Sequence, residues 1–318
     1  MNVRRRLISA AAAATVTALG TATLTACGGD ATAAGTGRLD VVASFYPMAF
    51  LAERIGGDHV YVTSLTSPGQ EPHDLEISPK QIIGIEKSDA VLYLKNLQPS
   101  VDAAVAQSSV GTKIDAASLT TLEQHGNEVG GHAASHDTSK NGEASGLDPH
   151  IWLDPVRYAQ VAEGVGKAFE KADPDHAGDY RKNTASLVER LDALNTAFKD
   201  GLANTRTKVF ITTHAAFGYL AERYGLTEEA INGLDPESEP SAARVKDLET
   251  MARADGVSTV FYETLVSDKT ARTIAADAGL RTDVLDPLEG ITGKSRGKDY
   301  FAVQQANLKA LQTALGAK

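Results

Sequence analysis

Four residues that lie far apart in the chain have the chemistry of a metal site: His73, His150, His214 and Asp286. Three of them, His73, His214 and Asp286, follow predicted strands, and ligands of open α/β sheets bind at the carboxyl ends of strands. Three imidazole nitrogens and one carboxylate oxygen suit tetrahedral Zn²⁺, whereas more carboxylate oxygens would favour Mn²⁺. These residues therefore raise the hypothesis of a zinc site, with Mn²⁺ as the second choice.

The four residues alone do not establish such a site. Each candidate is more than sixty residues from the next, whereas common zinc motifs are compact. A single histidine at a strand end is often a hydrogen-bonded or solvated loop residue. An Asp-Pro pair often marks a turn in which the carboxylate accepts hydrogen bonds from nearby backbone amides. The pattern alone is therefore compatible with a metal site and with ordinary loop and turn residues.

The elements that would position these residues alternate between strand and helix, in two copies. Apolar runs typical of strands cover residues 39–45, 59–65, 89–94, 207–212, 258–262 and 282–285. Helical patterns cover residues 48–55, 79–87, 215–224, 242–254, 268–278 and 300–315. This alternation predicts an α/β fold of two Rossmann-like lobes, each with a parallel sheet.

One long helical pattern, from Pro174 to Asn204, separates the two copies. Its larger apolar residues recur three or four positions apart, which gives one continuous apolar face, and at about 1.5 Å per residue the helix would be roughly 45 Å long. We predict a long rigid linker helix at 173–204 between an N-terminal lobe at 39–172 and a C-terminal lobe at 205–318. The alternative is a core helix of a single domain.

The start of the chain has the layout of a bacterial export signal. Arg4, Arg5 and Arg6 precede an Ala-rich apolar stretch, and Leu24-Thr25-Ala26-Cys27 follows. Cys27 is the only cysteine, and its surroundings resemble the lipobox, in which the cysteine is lipidated. We predict a signal peptide at 1–26, a lipid anchor at Cys27 and a flexible tether at 27–38. The alternative is an ordinary signal peptide with a chance cysteine.

Two compositional features bear on partners and mobility. Acidic residues outnumber basic ones by 41 to 31, a net charge of −10, which argues against nucleic acid as a partner because phosphates require a basic surface. The segment 123–147 is rich in glycine and small polar residues and contains three histidines. We predict that it is an exposed, mobile loop.

Six segments resemble the zinc/manganese ABC-transporter substrate-binding lipoproteins, the ZnuA/TroA-type family. They are Glu71-Pro72-His73-Asp74, Asp148-Pro149-His150-Ile151-Trp152, His214-Ala215-Ala216-Phe217-Gly218-Tyr219, Glu239-Pro240-Ser241, Val260-Phe261-Tyr262-Glu263 and Leu285-Asp286-Pro287-Leu288. They occur in family order. The resemblance implies two α/β lobes bridged by a long rigid helix, with metal ligands at His73, His150, His214 and Asp286. Because many zinc-type members have His at the third ligand position and manganese-type members often have Glu, His214 favours Zn²⁺ over Mn²⁺.

The resemblance also implies partners and supporting residues. Zn²⁺ would be captured outside the cytoplasm and delivered to an ABC-transporter membrane permease, by a lipid-anchored monomer without a catalytic step. In the loop at 123–147, His125, His132 and His136 would gather metal loosely, and the alternative is a plain solvated loop. We further expect Glu263 to orient a ligand imidazole, with a purely structural carboxylate as the alternative, and Trp152 to pack beneath the site.

Two other functions are open. A surface adhesin could use the same fold, because a fold does not determine a function. A zinc hydrolase would need an open coordination position and a base such as Glu71, Glu76 or Glu263. The sequence contains no His-Glu-x-x-His motif, which disfavours the hydrolase.

Overall fold

The computed structural model describes residues 37–125 and 146–318, with the backbone of two short strands between these ranges. The predicted signal peptide, Cys27 and all but the last two residues of the tether at 27–38 lie outside the described residues. So does most of the predicted loop at 123–147. Within the described residues, no helix is long and apolar enough to cross a membrane.

The first sheet has four parallel strands in the order β2-β1-β3-β4. The strands are β1 (Leu39–Ala43), β2 (Val60–Ser64), β3 (Ala90–Tyr93) and β4 (Thr112–Asp115), and the helices α1 (Tyr46–Gly56), α2 (Pro79–Lys87) and α3 (Pro99–Gln107) connect them. The inner strands β1 and β3 are almost entirely buried, as expected for a parallel sheet covered on both faces.

The chain then passes through the short antiparallel strands β5 (Glu128–Val129) and β6 (His132–Ala133) to two packed helices, α4 (Pro155–Ala172) and α5 (Ala177–Leu202). Asp154 caps α4 by accepting a hydrogen bond from the backbone N–H of Val156. A short 3-10 turn, Pro174–His176, precedes α5. Helix α5 therefore begins three residues later than the pattern predicted.

The second sheet is also parallel, with the order β10-β9-β7-β8. Its strands are β7 (Val209–Thr212), β8 (Thr227–Ala230), β9 (Thr259–Tyr262) and β10 (Arg281–Val284). The helices of this half are α6 (Gly218–Tyr224), α7 (Ala242–Ala254), α8 (Lys269–Ala278) and α9 (Tyr300–Leu315). The two parallel sheets with crossover helices are the α/β lobes that the alternating pattern predicted.

Helix α5 belongs to a hydrophobic core that both lobes share. Its buried face consists of Tyr180, Leu187, Leu191, Leu194, Phe198 and Leu202. These side chains lie in one apolar cluster with Leu51 of α1, Phe210 of β7 and Leu311 of α9. The helix is thus part of the common core as well as the connection between the lobes, which combines the two interpretations of its sequence pattern.

Candidate metal centre

Four side chains from four separate loops converge in the structure: His73, His150, His214 and Glu289. Their potential ligand atoms all lie within 4.8 Å of one another. Oε1 of Glu289 is 3.2 Å from Nε2 of His73 and 3.4 Å from Nε2 of both His150 and His214. The loops follow β2, β7 and β10 and precede α4, so three of them leave the carboxyl ends of strands, where ligands of such sheets bind.

Several polar atoms of this group lack partners although they are buried. Among the described residues, Nε2 of His150, Nε2 of His214 and Oε2 of Glu289 have no hydrogen-bond partner. Buried polar atoms are normally hydrogen-bonded, and each exception requires an explanation. Three nitrogens and a carboxylate that converge in this way are suited to a divalent cation of the zinc type.

Asp286, predicted as the fourth ligand, lies outside this group. Its Oδ1 accepts a hydrogen bond from the backbone N–H of Leu288 at 2.8 Å, and its Oδ2 accepts one from the Thr264 hydroxyl at 3.2 Å. Asp286 thus supports the turn after β10, and the carboxylate that converges with the three imidazoles is that of Glu289. The local interpretation of Asp-Pro pairs, in which the carboxylate bonds nearby amides, describes this residue.

An unusual backbone conformation directs Glu289 inward. Leu288 has φ 60°, in the left-handed region that residues other than glycine rarely adopt. Its side chain is fully buried, and this burial holds the conformation in place. Such conformations persist where the surrounding structure enforces them, often at functional sites.

Two buried carboxylates orient the rings of His150 and His214. Nδ1 of His150 donates to Oδ1 of Asp148 at 2.7 Å, and Nδ1 of His214 donates to Oε1 of Glu263 at 2.8 Å. A proton on Nδ1 leaves the lone pair on Nε2, the atom that faces the centre. Metal-binding histidines are commonly oriented by this arrangement.

The loop that carries His73 is fixed at both ends. The backbone N–H of His73 donates to Glu71, and buried Leu75 anchors the middle of the loop. Ser78 and Gln81 form a reciprocal capping box at the start of α2. The side chain of His73 is 13% exposed, whereas those of the other three residues are at most 1% exposed, so solvent reaches the group from the side of His73.

The charges of this group shift its pKa values in opposite directions. Burial acts to lower the pKa of His214, but the carboxylates of Glu263 and Glu289 outweigh it and raise the pKa well above its ordinary value. The pKa of His150 is raised in the same way, against burial, by Asp148 and Glu289. Burial acts to raise the pKa of Glu289, but the three imidazoles hold it well below its usual range. The carboxylate of Glu289 is therefore ionised over the physiological pH range.

Glu71 borders the group as a fifth titratable side chain. Burial, followed by the charge of Glu289, raises the pKa of Glu71 to about 9. Glu71 is therefore protonated at neutral pH in the metal-free protein. This neutral state avoids a second negative charge beside Glu289.

Trp152 is buried next to this group. Its ring centroid is 5.1 Å from that of His150, and its indole N–H donates to the carbonyl of Pro287 at 2.7 Å. We expect zinc added to the metal-free protein to change the emission of Trp152, which is the only tryptophan. A fluorescence titration would measure this change, and a His214→Ala variant serves as the control that should show none. Constant emission at a zinc concentration that saturates the wild type would contradict the expectation.

Of the three histidines predicted to gather metal in the loop at 123–147, the structure fully describes only one. His125 is described and forms a group of potential ligands with Glu123 and Glu222. The side chain of His132 and all of His136 lie outside the described residues. Their metal-binding role stays a prediction.

The chain belongs to the ZnuA family, whose model is described as the periplasmic component A of the zinc-uptake complex and matches residues 41–314. The two-lobed fold and the family together place this chain among the ZnuA-like solute-binding proteins. The predicted family is thereby confirmed. The zinc hydrolase alternative does not agree with this family.

Sequence similarity to zinc-binding proteins supports membership of the ZnuA family. The chain is 36% identical over 282 residues to the zinc-binding lipoprotein AdcA of Streptococcus pneumoniae, an alignment that covers 87% of this chain and 56% of AdcA. It is 32% identical over 292 residues to the high-affinity zinc uptake system protein ZnuA of Bacillus subtilis, covering 88% and 89% of the two chains. This chain thus spans about half the length of the AdcA proteins it matches.

Solved structures show the same two-lobed fold. The crystal structure of Zn(II)-bound AdcA from Streptococcus pneumoniae aligns with a TM-score of 0.73 at 33% identity, covering 89% of this chain and 59% of that one. The laminin-binding protein Lmb of Streptococcus agalactiae aligns with a TM-score of 0.76 at 29% identity, covering 87% and 99%. Lmb is described as a bifunctional protein with adhesin and metal transporting activity.

Proposed function

We propose that this protein captures Zn²⁺ outside the cytoplasm and delivers it to an ABC-transporter permease. The observation that carries the proposal is the convergence of three imidazole nitrogens and Oε1 of Glu289, with two of those nitrogens buried and without hydrogen-bond partners among the described residues. Family membership and the zinc-binding names of its relatives support the choice of ion.

The donor set favours zinc over manganese and capture over catalysis. Three nitrogens and one carboxylate form a closed tetrahedral set, whereas Mn²⁺ prefers more oxygen ligands. A catalytic zinc keeps one position for water. If His73, His150, His214 and Glu289 all bind the ion, no position is left for an activated water.

We further propose that the mature chain is a monomer anchored through lipidated Cys27 to the outer face of the cytoplasmic membrane. The support is the lipobox-like sequence before Cys27 and the relatives named as lipoproteins. The likeness to Lmb supports adhesion as a second candidate function. Adhesion would use the outer surface and is compatible with zinc capture.

Zinc titration by calorimetry tests the proposed function. We expect one tight site per chain in the wild type. His214→Ala should weaken zinc binding by more than about 100-fold, because loss of a ligand should exceed the 10- to 100-fold effect typical of the partners behind a ligand.

His176→Ala is a matched control for this titration. His176 also pairs with a carboxylate, since its Nδ1 lies 2.7 Å from Asp173, but it does not belong to the converging group. The control should bind zinc like the wild type. Tight binding that survives His214→Ala would refute the assignment of the site.

A further inference from the structure

Asp148 is shared between two histidines, of which only His150 belongs to the converging group. Its carboxylate is fully buried, and Oδ1 accepts from both Nδ1 and the backbone N–H of His150, at 2.7 and 2.9 Å. The other oxygen, Oδ2, accepts from Nδ1 of His125 at 2.9 Å. We propose that His125 is a positioning residue for zinc capture, which acts on His150 through Asp148. This inference rests on the proposed function.

The two histidines together fix the plane of the carboxylate. One oxygen of Asp148 is held by His150 and the other by His125, so rotation about the Cβ–Cγ bond would break hydrogen bonds on both sides. Removal of the His125 donor would leave Oδ2 buried without this partner, which is costly. The carboxylate would then turn toward other donors, and the ring of His150 would lose its fixed direction.

His125 is itself held in place by Tyr219 of α6. The two rings pack edge to face with centroids 4.5 Å apart. The hydroxyl of Tyr219 donates to the backbone carbonyl of Asp148 at 2.8 Å, and the backbone N–H of Glu123 donates to that hydroxyl at 2.8 Å. The segments on either side of residues 126–145 therefore meet at one tyrosine, and His125 is preorganised to donate to Asp148.

A role of His125 as a metal ligand is less consistent with its surroundings. The carboxylates of Glu123 and Glu222 beside it already face a cation, because the guanidinium of Arg157 bonds Glu123 and lies 3.8 Å from Glu222. That guanidinium also lies over the Tyr219 ring, 4.5 Å from its centroid. A metal ion bound there would have to share these carboxylates with a fixed positive charge.

Three substitutions separate the positioning role from packing and from metal ligation. His125→Asn keeps an N–H donor at the place of Nδ1 but has neither the ring nor Nε2. His125→Phe keeps the ring and removes the donor. His125→Gln stays polar but places its amide near Nε2, and it serves as a second donor-free variant if the Phe variant does not fold.

The measurements are zinc affinity by calorimetry and the visible absorption spectrum of the Co²⁺-substituted protein. We expect His125→Phe and His125→Gln to weaken zinc binding by about 10- to 100-fold and to shift the Co²⁺ bands, which respond to ligand geometry. His125→Asn should restore both the affinity and the spectrum of the wild type.

Two outcomes would overturn the inference. One is wild-type affinity in His125→Phe and His125→Gln, and the other is an equal loss in all three variants, which would indicate packing or direct ligation. A wild type that binds no zinc would instead overturn the proposed function. The His125 variants therefore test the positioning role, and the wild type separately tests zinc binding.

Discussion

Replacement of Glu289 by Gln should weaken zinc binding by more than about 100-fold, whereas Asp286→Asn should weaken it by about tenfold or less. The reason is geometric, since Oε1 of Glu289 lies within 3.4 Å of Nε2 of all three histidines. An amide removes the negative charge that helps to hold the cation. Asp286 instead accepts hydrogen bonds from Leu288 and Thr264, and an amide oxygen can still accept the bond from the Leu288 backbone.

Competition with a chromogenic zinc chelator would measure both variants over a wide range of affinities. The metal-free variants should first be compared by circular dichroism, because Asp286 supports a turn and its replacement could lower stability. A larger loss of affinity in Asp286→Asn than in Glu289→Gln would contradict the assignment of Glu289 and restore Asp286 as the ligand.

The affinity for zinc should fall on acidification, because the carboxylates of the site raise the pKa values of His150 and His214 above that of an ordinary imidazole. Zinc binds deprotonated imidazoles, whereas the raised pKa values of His150 and His214 keep protons on these rings in the metal-free protein. As the pH falls through these values, protons compete with the ion. Each displaced proton lowers the apparent affinity by up to about tenfold per pH unit. Zinc affinity measured across this range tests the expectation, and a pH-independent affinity down to about pH 6 would contradict it.

The stability of the metal-free protein should have the opposite pH dependence to that of the zinc affinity, and its measurement serves as the control. Because the folded-state pKa values of His150 and His214 are raised, the folded chain holds more protons than the unfolded chain as the pH rises through them. The free energy of unfolding therefore falls in that range. Glu71, with its pKa raised to about 9, contributes in the same direction. A melting temperature of the metal-free protein that rises from mildly acidic to alkaline pH would be inconsistent with these shifts.

The strand-end pattern and the family resemblance together predicted the histidines of the site, whereas the pattern alone left two interpretations open. His73 and His214 follow apolar strands of parallel sheets, and the carboxyl ends of such strands face the same region. The choice between Asp286 and Glu289 could not be predicted in this way. It depends on the left-handed backbone of Leu288 and on a hydroxyl from Thr264 after another strand, neither of which a local pattern contains.

The alternation of elements was predictable, but α3, α4, β4 and β8 have no counterpart among the predicted ranges. Strand β8 contains adjacent glutamates, Glu228 and Glu229, and charged residues argue against a buried strand. In the structure both are buried with partners distant in sequence, since the hydroxyl of Thr212 donates to Glu228 and Arg244 pairs with Glu229. Burial of a carboxylate requires such partners, and sequence periodicity does not reveal them.

The shared core around α5 limits how far the two lobes can separate. Wide separation of the lobes would open this shared apolar cluster to water, at about 1.5–3 kcal/mol for each side chain fully exposed. Displacement of the loop that carries His73, whose side chain is the most accessible of the four, would open the site without separating the lobes, although it would also expose the buried side chain of Leu75. If the protein captures zinc as proposed, release would then proceed through a local movement of this loop while the two lobes stay together.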